Sequence, residues 1–152
     1  MPDSTNAAKN LQKQLLVCYV DFMIFELSVK SHKRAEFINI TSDIENKVKE
    51  SGISSGLCHI FIPHTTAGVT INEGADPDVL RDLEYGLDRC VPYDGKYRHM
   101  EGNSPAHIKS SIVGCNKTVF IDNGRLVLGT WQSVYFCEFD GPRTRRVLVK
   151  IK

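Results

Sequence analysis

The chain has 152 residues, 41% of them apolar and 24% charged, with a formal net charge of +1 at neutral pH. That length fits one compact domain and leaves no room for a second catalytic one. The near-zero charge gives no long-range field for nucleic acid or an anionic membrane, so polyelectrolyte partners are not expected and any bound anion must be held by locally placed groups.

In chain order, residues 1–19 read as a polar, disordered N-terminal extension and residues 20–152 as the folded domain. Lys9 and Lys13 precede an apolar run at 15–27, as in a signal peptide. Asp21 and Glu26 interrupt that run, no small-residue cleavage site follows, and a membrane span needs about 20 apolar residues. Five widely spaced cysteines, Cys18, Cys58, Cys90, Cys115 and Cys137, never form a CxxC pair. They read as reduced thiols, which places the protein in the cytoplasm.

A strand is predicted over 22–30, then a helix beginning near Thr41, with Ser42 and Glu45 at capping-box spacing or Thr41 itself as cap. Ile44 and Val48 share one face of that helix and Gly52 ends it. Residues 57–63 form an apolar strand that delivers His64-Thr65-Thr66-Ala67-Gly68, and a second strand covers 69–72. Asp76-Pro77 starts the next helix, whose buried stripe is Val79, Leu80, Leu83, Leu87 and Val91. A loop runs to about Gly102, and Asn103-Ser104-Pro105 opens a third helix ending at Gly114. Strands follow at 118–122, 126–139 and 145–151, with a hairpin turn at Asn123-Gly124. Hairpins mixed with helices, without regular βαβ alternation, imply an α+β fold of mostly antiparallel sheet layers with about three helices.

Groups with chemical potential concentrate between His64 and His107. His64 is either a loop histidine bonded to backbone or a site residue at a strand end. Were the strands at 57–63 and 69–72 hairpin-paired, Glu73 would face the same cleft, to orient His64, bind a metal or act as base. His99, Asn103 and His107 are spaced by fours, but Gly102 and Pro105 break the helix between them. His107 then sits in the first helical turn and His99 approaches from the loop, as a site or as a loop pin. Asp78 and Asp82 share their helix with Arg81 and Arg89 and read as a solvated, salt-bridged face. Asp140-Gly141-Pro142-Arg143 is a tight turn, and Arg143 and Arg145 suit either a phosphate or carboxylates across a subunit boundary.

The strings His64-Thr65-Thr66-Ala67, Asn72-Glu73, His99, Asn103-Ser104-Pro105-Ala106-His107, Gly129-Thr130-Trp131-Gln132 and Phe139-Asp140-Gly141-Pro142-Arg143 closely resemble the YjbQ-like family, also called secondary thiamine-phosphate synthase enzymes. The resemblance runs from about Phe22 onward and implies a homotrimer with its polar residues in a cleft near the subunit interface. It also implies an activity that joins a pyrimidine pyrophosphate to a thiazole phosphate. On that basis His64, Glu73, His99 and His107 are candidate catalytic groups. Asn72, Asn103 and Gln132 would orient a small phosphorylated substrate, with Arg143 and Arg145 on its phosphates. A divalent metal, Mg2+ or Zn2+, is expected on His99, His107 and Glu73. The competing expectations are a metal-dependent hydrolase and a metabolite-binding trimer without turnover.

Overall fold

The computed structural model describes residues 24–152 together with Lys9; the rest of the predicted N-terminal extension and the first two residues of the strand at 22–30 lie outside the described residues. Among the described residues eight strands and three helices follow one another as β1 (Ile24–Lys30), β2 (Glu36–Asn39), α1 (Thr41–Ser51), β3 (Gly56–Phe61), β4 (Ala67–Glu73), α2 (Pro77–Cys90), α3 (Ser104–Val113), β5 (Asn116–Asp122), β6 (Arg125–Leu126), β7 (Gln132–Glu138) and β8 (Thr144–Ile151). They form a five-stranded sheet in the order β1-β8-β3-β5-β6 and a three-stranded sheet in the order β2-β7-β4, with every pairing antiparallel. The fold is therefore α+β, as the element order implied. Among the described residues no helix is long and apolar enough to cross a membrane.

β7 explains the layering. Along a strand successive side chains point to opposite faces, yet Val134, Tyr135, Phe136, Cys137 and Glu138 are all buried. Val134 and Phe136 enter the main core, with Ile44 and Val48 of α1 and Cys58, Ile60, Val147 and Val149 of the larger sheet. Tyr135 and Cys137 face the other way, into a second core with Ala106 of α3 and Leu80 and Leu87 of α2. The small sheet is thus covered on both faces at β7, which is why residues 134–137 run apolar without alternation. The larger sheet has one wet face, and β8 shows it by alternating burial from Arg145 to Ile151.

Several local expectations are corrected. α1 has no side-chain cap: Ile40 is the N-cap residue, Asn39 Oδ1 accepts from the Thr41 amide at 3.0 Å, and Thr41 Oγ1 accepts from Val134 N at 2.9 Å. Glu45 does not close a capping box, because its carboxylate is taken by the Leu126 amide at 3.0 Å. The α2 stripe is only half-buried from Val79 to Leu87, and Val91, just beyond the helix, is its one fully buried member. The strand expected over 126–139 is broken by irregular chain at 127–131, and β2 was not foreseen. The turn held as expected: Asn123 (φ 50°) and Gly124 (φ 71°) take the left-handed conformations of a tight hairpin.

Two thiols in these cores carry an alkaline penalty. Burial, aided by the Glu45 charge, pushes the Cys58 thiol up to about 12, and burial pushes Cys137 up to about 12, against an ordinary value of 9.0. Below that ordinary value both folded and unfolded chains hold these protons, and stability is unaffected. Above it the unfolded chain ionises while the native state does not, so stability falls as pH rises, by about 1.4 kcal/mol per unit per thiol. Urea midpoints between about pH 8 and pH 10 are expected to fall less steeply in a Cys58→Ala/Cys137→Ala double variant than in the parent. Parallel curves would show that neither thiol is protected.

Candidate functional site

Pro63 and His64 lie in irregular chain just past β3, and that stretch owes its position to its neighbours rather than to a ladder. Ile62 N donates to Cys115 O at 2.7 Å, the Ser110 hydroxyl lies 2.6 Å from Thr65 O, and Phe139 N donates to Thr66 O at 3.2 Å. α3 can pack close because residue 68 is glycine: a Cβ there would stand 2.7 Å from Gly114 O. Between this stretch and α3 lies a groove of about 360 Å³ lined by His64, Thr65, His107, Ser110, Ser111 and Cys115. A second hollow of about 350 Å³, lined by Tyr97, His99, Ser104, His107 and Ile108, adjoins it through His107.

His64 Nε2 accepts the Arg146 backbone N–H at 3.0 Å. That bond needs a lone pair on Nε2, so the neutral ring carries its proton on Nδ1, for which no partner exists among the described residues. Burial first, then the Arg145 guanidinium, hold the imidazole below its usual range, with the Glu138 carboxylate opposing them. His64 is thus a neutral N–H donor at neutral pH.

His99 and His107 come together as the broken helix implied, their rings edge-on with centroids 5.4 Å apart. Asn103 is the α3 N-cap residue, but its amide donates to Asp140 Oδ2 at 3.1 Å instead of capping the helix. Arg143 grips the same Asp140 carboxylate at 2.7 Å. Arg145 is buried and forks onto Glu138, Nε to Oε2 at 2.8 Å and Nη2 to Oε1 at 2.7 Å. Both arginines therefore pair with carboxylates of their own chain. Asp78 and Arg81 pair across one turn of α2, in line with a salt-bridged face.

The other candidates lie elsewhere. β3 and β4 are in different sheets, so they are not hairpin partners. β4 begins beside the groove at Ala67 and carries Asn72 and Glu73 at its far end, about 20 Å away at strand rise. There Glu73 is the register partner of Gln132. Asn72 Oδ1 accepts its neighbour's amide at 2.8 Å, and Gln132 Oε1 accepts from Gly129 N at 2.9 Å. Nine candidate residues thus form two clusters in one chain: His64, His99, Asn103, His107, Arg143 and Arg145, and separately Asn72, Glu73 and Gln132. Among the described residues no three His, Cys, Asp or Glu side chains converge as a metal site.

Glu138, Thr66 and Ser110 were not foreseen as part of this site. The signal for Glu138 was available: a carboxylate at an inward position of an apolar strand requires a partner. Thr66 and Ser110 gave no such sign, because hydroxyls suit surfaces and interiors alike.

The chain matches the family model described as UPF0047 protein YjbQ-like over residues 25–152. It is 53% identical over 130 residues to UPF0047 protein YugU of Bacillus subtilis, covering 85% of this chain and 98% of the relative. A UPF0047 protein of Methanocaldococcus jannaschii is 49% identical over 129 residues, 85% of this chain and 94% of its own length. Among solved structures, an uncharacterized conserved protein of the YjbQ/UPF0047 family from Clostridium acetobutylicum superposes with a TM-score of 0.83 at 54% identity, over 84% of this chain and 99% of the other. A protein of unknown function from Sulfolobus solfataricus gives 0.82 at 30% identity, over 85% and 95%.

Proposed function

We propose, from the premise that this chain belongs to the YjbQ-like UPF0047 family, that it is a low-turnover enzyme of thiamine-phosphate-synthase type with the groove between His64 and His107 as its acid–base site. The observation that carries the reading is His64, a neutral imidazole with one nitrogen fixed by backbone and an unpartnered N–H at a groove. In the reaction the bond from the pyrimidine methylene carbon to a pyrophosphate oxygen breaks, and the thiazole nitrogen forms a bond to that carbon. The departing pyrophosphate gathers negative charge. An N–H donor placed in advance, with water partly excluded, stabilises that charge without reorganising. His107, shared by both hollows, is the second group that can hold or pass a proton.

Glu73, Asn72 and Gln132 are too far along β4 to reach this groove within one chain. The reading therefore has a second copy, in a homotrimer, supply them to it. Trp131, 65% exposed beside Gln132, and Ile112, 59% exposed on α3, offer apolar surface for such a contact. The four described cysteines are free, which suits a reducing cytoplasm. The test is thiamine phosphate formation from the two phosphorylated halves. His107→Ala is expected to lose roughly 10²–10⁴-fold in rate, and Glu73→Gln to lose activity with it. Unchanged rates in both variants, or no product above the uncatalysed rate from the unmodified protein, would remove the reading.

A second reading, a metal-dependent hydrolase, rests on the edge-on pairing of His99 and His107. Two imidazoles of one chain do not make a metal site; joined by Glu73 from another copy the set fits Zn2+, whereas Mg2+ prefers oxygen ligands alone. The residues that would hold the ion are then His99, His107 and the partner's carboxylate, and the ion would supply Lewis-acid activation of water. Metal content per chain after chelator-free purification checks it, with stoichiometric metal in the parent and its loss in His99→Ala as the expected result.

A further inference from the structure

We propose that the buried Glu138–Arg145 pair is a positioning device for His64, acting through the Thr66 hydroxyl. The inference deepens the reading above and rests on it only for its functional meaning. Irregular chain at 62–66 joins β3 in the large sheet to β4 in the small one, so no ladder fixes its side chains. Two consecutive residues of β8 fix them instead. Arg145 points inward and donates from Nη2 to Thr66 Oγ1 at 2.8 Å, while the Arg146 amide donates to His64 Nε2 at 3.0 Å.

Arg145 can serve this way only because Glu138 immobilises it, and Glu138 is itself immobilised. Its Oε1 accepts the Phe139 and Asp140 amides at 3.1 and 3.0 Å, and its Oε2 accepts the Ser31 hydroxyl at 3.0 Å. The same Ser31 oxygen accepts the Arg143 amide at 2.8 Å. Glu138 is fully buried and Arg145 is 7% exposed, so the chain from Ser31 through Glu138 and Arg145 to Thr66 is nearly dry. A charge fork held on three sides is stiffer than any loop it could steady. Its last link is the residue two beyond the imidazole.

The groups facing His64 are Arg145 and Arg146 on β8, Glu138 on β7 and His107 across the groove on α3. The test is an NMR titration of the His64 ring, read without substrate, so that a lack of turnover leaves it informative. In the parent protein the ring is expected as the Nδ1–H tautomer, titrating below a free imidazole. Thr66→Val removes the tether and keeps the shape. The ring is then expected to titrate closer to a free imidazole and to mix its tautomers, while Thr66→Ser restores the parent behaviour. Glu138→Gln, which leaves the Arg145 charge uncompensated beside the ring, is expected to move the titration in the opposite direction. Should Thr66→Val fail to fold, the His64 tautomer in Glu138→Gln decides, expected mixed where the parent holds Nδ1–H, because loss of charge alone shifts the titration without freeing the ring. A folded Thr66→Val or Glu138→Gln that titrates like the parent, or a Thr66→Ser that behaves like Thr66→Val, overturns the proposal.

Discussion

Glu138→Ala is expected to lower the unfolding free energy by about 3–5 kcal/mol, the usual cost of breaking a buried ion pair from one side. The magnitude follows from what remains. Arg145 would keep its guanidinium buried with Thr66 as its only remaining side-chain acceptor among the described residues, and the Asp140 amide would lose the oxygen it now bonds. Replacing both partners, Glu138→Leu with Arg145→Met, is expected to be close to neutral or stabilising, since no charge is left behind. The contrast between the single and double variants in urea unfolding measures the pairing itself. A single-variant loss below about 1 kcal/mol would mean that water reaches Arg145. The parent should also weaken in acid. Burial alone would raise the Glu138 carboxyl, but the Arg145 donors, the Asp140 amide and the Ser31 hydroxyl hold it below its ordinary 4.5. Its contribution is present above that value and is lost as pH falls through the lower folded one.

Phe136→Ala is the second large effect, expected at about 3–5 kcal/mol. Phe136 is fully buried at the centre of β7, with Ile38 of β2 and Val69 of β4 as register partners on either side. It enters the space between the two sheets, where neither sheet can collapse toward the gap without breaking its own ladder. Phe120→Ala is the matched control. That ring is 69% exposed on the wet face of the large sheet, and its loss is expected to fall within about 0.5 kcal/mol. Equal effects at the two positions would contradict the layering.

What could be read from the sequence were the features whose causes lie within a few residues. Asp76 caps α2 through the Asp78 amide at 2.9 Å with Pro77 behind it. Gly52 ends α1 at φ 70°, and Asn123-Gly124 turns the hairpin. The meeting of His99 and His107 was legible for the same reason, since Gly102 and Pro105 locally decide where α3 starts. β2 escaped because four residues, Glu36–Asn39, carry no period of their own and are ordered by pairing with β7. The placement of β3 and β4 in different sheets escaped because their closeness in sequence suggested a hairpin. Arg145 was noticed as a charge, but its partner lies on another strand, and only the fold reveals that one holds the other. Short-range capping and turn chemistry writes the ends of elements, and long-range pairing decides which ends meet.

The order of strands in the larger sheet has a bearing on synthesis. Of the described strands β8 comes last in sequence, yet it lies between β1 and β3 in the sheet. A ribosome releasing this protein from its N-terminal side would expose β1 and β3 with an empty lane between them, able to pair with strands of other chains until β8 arrives. Arg145 enters with that same strand, so the groove would be shaped only once β8 has left the ribosome. A nascent chain stalled before residue 144 would be a client for chaperones and would have no organised His64.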